Sequence, residues 1–303
     1  MKVGRTVSTT VLLAAVILAV SFAATRADVD QRLVMLDEGR WVDEQGEPLE
    51  VPAIVEAADA DTLVWSPDGT EVAFACDSAT LAPDPEGRGL CSVDVDTSNS
   101  QLRAEAAAPV RFPIWSPDGN SLAYAALGLE GHGSLWVTNP SAPGGVETLC
   151  EDWCPLFRYY SLAWSPDGST IATSAETPGT GGHPARIILF DVASHEFELL
   201  ANDLPGLQHA PTWSPDGEQL AFSSNAVGGF DLWSVDISTR EPRQLTTEDH
   251  GALNPAWAPD GSELVFVSRT DGGGTNVRSV SSSGGPSTEI LSGDVRSPRF
   301  ILG

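Results

Sequence analysis

Residues 213–217 read Trp-Ser-Pro-Asp-Gly, and the same pentapeptide stands at 65–69, 115–119 and 164–168, with Trp-Ala-Pro-Asp-Gly at 257–261. Successive tryptophans are 50, 49, 49 and 44 residues apart. In this pentapeptide, proline presets φ for a turn, aspartate hydrogen-bonds nearby backbone amides, and glycine takes the left-handed conformation. Five copies at this period predict a repeat architecture in which each pentapeptide is a hairpin turn.

The residues after each pentapeptide alternate in the manner of β-strands. Residues 219–223 read Gln-Leu-Ala-Phe-Ser, a Gly-rich loop follows, and the runs 231–236 and 243–246 supply a third and a fourth strand. Four strands per repeat without helical periodicity predict an all-β fold, a β-propeller of four-stranded antiparallel blades. The motif tryptophans are expected to pack between neighbouring blades.

The two ends of the chain decide the expected number of blades. Five blades start near residues 62, 110, 160, 209 and 253. Residues 296–300, Arg-Ser-Pro-Arg-Phe, resemble the approach to a further motif, with Phe300 in the place of tryptophan. We therefore predict one six-bladed domain over 28–303, whose sixth blade combines strand-like runs of 28–61 with 295–303. Five blades plus a loose N-terminal tail is the alternative. Closure would pair the terminal strands, whose edges would otherwise be exposed.

The first 27 residues have the pattern of an export signal. Lys2 and Arg5 precede a stretch, Thr6 to Thr25, that has no charged residue. Cleavage after small residues is expected. An uncleaved anchor is the alternative, because about 20 uncharged residues are just long enough to span a bilayer. Both outcomes predict an extracytoplasmic protein that is periplasmic, secreted or anchored outside the cell, with membrane contact only through this segment.

Four cysteines accompany the export signal, which favours disulfides over metal binding or redox chemistry. Three pairings are possible in principle. The repeat places Cys76 at the end of a second strand and Cys91 at the start of the third, whereas Cys150 and Cys154 flank three residues of the next loop. We therefore expect Cys76–Cys91 and Cys150–Cys154 disulfides, the second of which would hold Trp153 outward as a candidate contact residue.

The formal charge of the chain is −26 at pH 7. Such an acidic surface repels phosphate backbones, so we expect no nucleic-acid partner. The acidity attracts basic proteins or cations, or it serves solubility. The sequence predicts a monomer.

The repeat resembles that of the TolB family. The resemblance covers residues 62–300 and rests on Trp-Ser-Pro-Asp-Gly followed by Leu-Ala-Phe, then on Asp-Leu-Trp-Ser-Val-Asp at 231–236 and Arg-Gln-Leu-Thr at 243–246. It implies a propeller that makes protein contacts in the bacterial cell envelope. Similar propellers also accompany the hydrolase domain of prolyl-oligopeptidase-type peptidases, but the Gly-x-Ser-x-Gly nucleophile motif of such hydrolases is missing from this sequence. Only the propeller part of TolB is matched, so a Tol-Pal role does not follow from the resemblance.

Candidate binding residues come from the loops that enter each inner strand, because these loops share one face with those joining second to third strands. They occupy the position four residues before each motif aromatic: Asp61, Arg111, Tyr160, His209, Leu253 and Arg296. His250 and Trp153 lie in the same loops. Varied loops on a constant scaffold suit a binding surface, although neutral drift gives the same pattern.

The sequence favours a non-catalytic module over an enzyme. The leading function is a binding or scaffolding propeller for an envelope protein or a cell-wall or carbohydrate ligand, without a cofactor. The alternative is a propeller lyase or hydrolase with its site at the channel mouth. His132, His183, His209 and His250 fall on one predicted face and would hold a metal only if they converge, whereas solvated loop histidines are the simpler reading. The five motif aspartates are assigned to turns.

Overall fold

The computed structural model describes residues 31–37, 40–42, 63–127, 133–138, 145–150, 159–176, 185–271, 274–293 and 299–302. At 31–42, 127, 159–160, 291–293 and 299–302 it describes the backbone only. This part of the chain is all β and contains no helix, and therefore none that could cross a membrane.

Five four-stranded antiparallel sheets follow one another along the chain, each with its strands in sequence order. We call them blades 1 to 5. Their strands are as follows. Blade 1 contains β3 (Val64–Trp65), β4 (Glu71–Cys76), β5 (Gly89–Asp94) and β6 (Ser100–Glu105), and blade 2 contains β7 (Val110–Trp115), β8 (Leu122–Leu127), β9 (Gly133–Thr138) and β10 (Val146–Cys150). Blade 3 contains β11 (Tyr159–Trp164), β12 (Thr170–Glu176), β13 (Ala185–Asp191) and β14 (Phe197–Leu200). Blade 4 contains β15 (Gln208–Trp213), β16 (Gln219–Ser224), β17 (Asp231–Asp236) and β18 (Pro242–Gln244), and blade 5 contains β19 (Ala252–Trp257), β20 (Glu263–Arg269), β21 (Thr275–Ser281) and β22 (Thr288–Gly293).

A sixth sheet joins the two ends of the chain. β1 (Gln31–Asp37) pairs with β2 (Arg40–Val42) and, on its other side, with β23 (Arg299–Leu302) in antiparallel register from Gln31↔Leu302 to Val34↔Arg299. The predicted pairing of N- and C-terminal segments is therefore present, in a sheet of three described strands. The other residues predicted for this blade, among them 43–61 and 295–298, lie outside the described residues, so the complete six-bladed ring stays a prediction.

The first strands of neighbouring blades contact one another from blade 1 to blade 5, which is the inner-strand arrangement of a propeller. Each blade interface holds its own apolar cluster; that between blades 3 and 4, for instance, includes Ile187, Leu220 and Phe222, all fully buried. We call the side that carries the second-to-third-strand loops and the loops entering the inner strands the top face. The motif turns and the third-to-fourth-strand turns form the bottom face.

Four of the five motif tryptophans pack between described blades, as predicted. Trp115, Trp164, Trp213 and Trp257 are 2–8% exposed, while Trp65 is half-buried. Three indole N–H groups donate to the preceding blade, in each case to the carbonyl of the residue just before that blade's own motif tryptophan: Trp115 to Val64 (3.1 Å), Trp213 to Ala163 (3.2 Å) and Trp257 to Thr212 (3.2 Å). Trp164 differs, since its Nε1 donates to the carbonyl of Gly168 in its own turn (3.0 Å).

The rest of the pentapeptide forms the turn that the sequence predicts. In blade 4, Ser214 Oγ donates to Asp216 Oδ1 (2.5 Å) and accepts the amide of Gln219 (2.9 Å), and Gly217 has φ 74°. Asp68 repeats the pattern: partial burial raises the pKa of this carboxyl, but hydrogen bonds from Ser66 and Thr70 outweigh burial and leave the pKa below 3.8. Turn chemistry thus accounts for the motif aspartates.

Successive motif turns also lie close together. A Cβ added at the motif glycine would lie 3.6–3.9 Å from Cδ of the motif proline in the preceding blade, in four cases: Gly119 on Pro67, Gly168 on Pro117, Gly217 on Pro166 and Gly261 on Pro215. A methyl group would therefore fit between the turns without a clash. The motif turns of blades 1 to 5 thus follow one another along the bottom face at similar spacing.

The inner strands carry a β-bulge near the top face that the sequence does not announce. In blades 2, 4 and 5 the strand register shifts just before the motif, at a residue with left-handed φ that precedes a buried proline: Phe112 (50°), Ala210 (51°) and Asn254 (52°). A bulge leaves one residue outside the ladder and redirects its neighbours. It lies directly after the entering positions Arg111, His209 and Leu253, and so sets where these side chains point.

The indole hydrogen bond between blades predicts the effect of Trp213→Phe. This change keeps most of the packing but leaves the Ala163 carbonyl without its donor, which should lower the free energy of unfolding by about 1–2 kcal/mol. Trp213→Ala should cost about 3–5 kcal/mol. Trp136→Phe is the control, because the Trp136 indole donates to Ser134 within its own strand (2.7 Å). Equal stability of Trp213→Phe and the parent in urea unfolding would contradict the role of this bond.

The left-handed bulge predicts that Ala210→Gly stabilises the protein. An L-residue at this φ is strained by about 1–2 kcal/mol, whereas glycine is not. Because glycine also gains entropy in the unfolded chain, we expect a net rise of up to about 1 kcal/mol. Ala221→Gly, in the regular strand opposite, should instead lower stability by at least about 0.5–1 kcal/mol. A loss of stability in both variants on thermal unfolding would show that the bulge is unstrained.

Candidate functional site

Of the candidate binding residues, Arg111, His209 and His250 lie on the top face of the described part of the chain, and Arg111 shows how two kinds of loop meet there. Its Nη2 lies 2.8 Å from Glu86 Oε1, and its Nη1 donates to the carbonyls of Pro85 and Val110. Glu86 and Pro85 belong to the β4–β5 loop of blade 1, whereas Arg111 enters the inner strand of blade 2. Arg111 therefore clamps one blade's loop to the next blade.

The loop that Arg111 holds is closed at its base by the predicted Cys76–Cys91 disulfide. Both cysteines are fully buried. The loop backbone passes so close to the bridge that a Cβ at Gly87 would lie 2.2 Å from the Cys76 carbonyl oxygen. The loop also accepts the amide of Val110 on the Gly87 carbonyl (2.9 Å). This part of the top face is thus a braced platform.

Cys150 is also disulfide-bonded. Its expected partner Cys154 and the intervening Trp153 lie outside the described residues, so that pairing and the outward position of Trp153 stay predictions. Asp61, Arg296, His132 and His183 lie outside the described residues as well, and of Tyr160 only the backbone in β11 is described.

His209 is a half-buried side chain on the top of blade 4. Its ring lies 5.7 Å from that of Phe230, centroid to centroid, at an angle of 49°. Burial lowers the pKa of His209 below 6.5, because the charged imidazolium is desolvated. At neutral pH this imidazole is therefore uncharged, with one nitrogen donor and one acceptor.

Phe230 ends the β16–β17 loop, residues 225–230, which sequence reasoning did not single out. The base of this loop is fixed: Asn225 Oδ1 accepts the amide of Leu207 (2.6 Å), and the Phe230 carbonyl accepts the amide of Ala252 in blade 5 (2.6 Å). At its tip, Val227 is 60% exposed, the most exposed of the large apolar residues in the described part of the chain. The sequence did contain a signal for this loop, because Val227 is an apolar residue in a Gly-rich segment that joins a second strand to a third.

His250 lies on the next loop along the top face. Its Nε2 is 3.5 Å from Asp271 Oδ1, in the β20–β21 loop, and both side chains are exposed. Leu253 is half-buried beside the bulge of blade 5. Arg111, His209 and His250 are thus each engaged with a different loop, and the described residues contain no group of three or more His, Cys, Asp or Glu side chains placed to hold a metal ion.

The lowered pKa of His209 predicts a pH-dependent contribution to stability. The unfolded chain, with a histidine pKa near 6.5, binds more protons than the native state once the pH falls through that value. The native state should therefore lose stability relative to a His209→Gln variant as pH falls from about 7.5 to below 6.5, and the difference should level off below the native pKa. Urea unfolding at several pH values measures this, and parallel curves for the two proteins would contradict it.

Comparison with known proteins bears on the fold. A family model described as the TolB beta propeller domain matches residues 159–299. The Tol-Pal system protein TolB of Gluconobacter oxydans is 38% identical over 64 residues, 21% of this chain and 14% of that protein. The chain spans about half or less of the length of the curated relatives it matches.

Two solved structures share the fold. The structure of a TolB-assigned protein from Agrobacterium tumefaciens superposes with a TM-score of 0.61 at 18% identity, covering 87% of this chain and 89% of that one. An oligogalacturonate lyase in complex with manganese gives a TM-score of 0.63 at 15% identity, covering 84% and 70%. The repeated motif, the blades and the matched family model agree, and the propeller of this chain is TolB-like.

Proposed function

We propose that this chain is a non-catalytic, extracytoplasmic binding module that engages another protein of the cell envelope through the top face of its propeller. The observation that carries the proposal is the β16–β17 loop, whose base is hydrogen-bonded to two neighbouring segments while Val227 at its tip is exposed to solvent. Phe230, at the end of the same loop, packs against the His209 ring. A fixed base lowers the entropy lost on binding, and an exposed apolar tip supplies contact area.

The braced loop held by Arg111 supports the same surface from blade 1. The residue types at the entering positions differ from blade to blade, whereas the bottom turns of blades 1 to 4 repeat the same hydrogen bond. A scaffold with one recognition surface needs constant turns on one face and side chains that vary from blade to blade on the other. The TolB relative, a Tol-Pal system protein, supports a protein partner over a cell-wall or carbohydrate ligand.

The location outside the cytoplasm rests on the export pattern of residues 1–27 and on the buried Cys76–Cys91 disulfide, which suits an oxidising compartment. A monomer fits the net charge of −26, because copies of the chain repel one another. The six-bladed ring over 28–303 belongs to the same proposal, supported by the pairing of β1 with β23.

A propeller lyase is the second candidate. Its support is His209, whose lowered pKa leaves a neutral imidazole at the top face, together with the fold shared with the oligogalacturonate lyase. The test measures release of unsaturated products from polygalacturonate, with and without Mn²⁺. Release by the parent protein that is lost in the His209→Gln variant would favour this candidate.

The binding proposal is tested with a photo-crosslinking amino acid at position 227 in intact cells of the source organism. We expect a discrete protein adduct from position 227 and none from position 241, an exposed site in the bottom turn of the same blade. Val227→Asp, combined with a probe at position 226, should reduce the adduct. Equal labelling from positions 227 and 241, or no adduct from 227, would contradict a top-face protein partner.

A further inference from the structure

The outer strands of neighbouring blades are tied together in different ways. Arginines bridge three of the four interfaces: Arg103 of β6 lies over the Trp115 ring (5.6 Å to the centroid), Arg240 pairs with Glu198, and Arg243 donates to the Ser282 carbonyl (2.8 Å). Between blades 2 and 3, His195 Nε2 lies 3.1 Å from Glu147 Oε1. This interface combines a histidine pair with an unusual outer strand.

β14, the outer strand of blade 3, exposes apolar side chains. Phe197 and Leu199 are 37% and 39% exposed and, being two residues apart, share one face of the strand. They are paired in register with Phe190 and Ile188, which are fully buried in the core between blades 2 and 3. The apolar face of that core thus continues outward to the rim, where it meets solvent.

β14 is also the last strand of its sheet. Every second residue of such an edge strand directs its backbone N–H and C=O away from the sheet, where they can pair with an added strand. The edge of blade 4 is protected by a proline at the start of β18, Pro242, which has no N–H to offer. β14 has no proline, and Phe197 is held against Phe190 with ring centroids 5.5 Å apart.

The charges around this edge are acidic. Glu196 and Glu198 alternate with the apolar residues of β14 and are exposed, and Glu147 on blade 2 is 59% exposed. Glu198 pairs with Arg240 and Glu147 lies beside His195, so three carboxylates face one arginine and the edge keeps an acidic balance. Two copies of the strand pairing antiparallel about Glu198 would bring like charges face to face, in a chain whose net charge is −26. The charges therefore disfavour a second copy and favour a basic partner.

We propose that the edge of β14 is a docking site for an extended segment of a partner protein, in which apolar residues alternate with lysine or arginine. The segment adds to blade 3 as a fifth strand. Its apolar residues cover Phe197 and Leu199, and its basic residues lie among the glutamates of β14. This surface is on the rim, separate from the top face, and its occupancy does not depend on the function proposed above.

The test uses an array of ten-residue peptides in which Val, Ile, Leu or Phe alternate with Lys or Arg. Three matched sets serve as controls: the same peptides with Glu for each basic residue, with a central proline that blocks backbone pairing, and with the same composition in scrambled order. The probes are labelled full-length chain and its variants Leu199→Lys and Leu102→Lys. Leu102, on the outer strand of blade 1, is 36% exposed and provides the matched substitution.

We expect the alternating basic peptides to bind the parent and the Leu102→Lys variant with equal affinity. They should bind the Leu199→Lys variant more weakly, by about tenfold or more. Their proline and glutamate counterparts should bind weakly to every protein. Absence of binding to the parent would overturn the proposal. So would equal binding by the proline or scrambled peptides, which would indicate charge attraction alone, or equal binding to Leu199→Lys and Leu102→Lys, which would place the contact elsewhere.

Discussion

A buried indole needs a hydrogen-bond acceptor inside an interface that is otherwise apolar, and here three motif tryptophans find it on the neighbouring blade. The acceptor is the carbonyl just before the neighbour's own tryptophan, so each bond joins equivalent points of two successive repeats. The motif turns of successive blades also lie close together at the bottom face. At the three interfaces that have it, the indole bond fixes the spacing between neighbouring inner strands and so helps to position the loops above them.

The top face inherits its geometry from this scaffold through the bulged inner strands. The prolines after Phe112, Ala210 and Asn254 are buried and locked in φ, while the residues before them adopt left-handed φ. Local strain of this kind persists only where surrounding packing determines it, and it is concentrated near functional surfaces. The tryptophan joint immediately below each bulge supplies that packing. The entering residues are therefore presented by a strained but firmly held backbone, which suits recognition without large rearrangement.

The sequence predicts what repeats. The turn chemistry of Ser214, Asp216 and Gly217, the burial of the tryptophans and the Cys76–Cys91 bridge all follow from residue types at fixed offsets. The bulges escaped prediction because Phe, Ala and Asn share no chemistry that signals left-handed φ. The Arg111 clamp escaped because its partner, Glu86, lies in a loop whose path depends on the disulfide and on tertiary packing. Both features depend on tertiary packing: the bulge on the tryptophan contact next to it, and the clamp on how two blades meet.

Acidity and exposed apolar residues have complementary consequences for this molecule. A net charge of −26 acts over roughly a Debye length, about 8–10 Å in physiological salt, and so biases which proteins approach but adds little affinity at any one point. Val227 on the top face, and Phe197 with Leu199 on the rim, act only at contact, where removal of apolar area from water supplies the binding energy. Because the field surrounds the whole chain while the apolar residues are local, under the proposed binding function charge would select a basic partner and the apolar residues would determine where it binds. A basic protein without exposed apolar residues would be attracted to the whole acidic surface but would not bind stably at any one site.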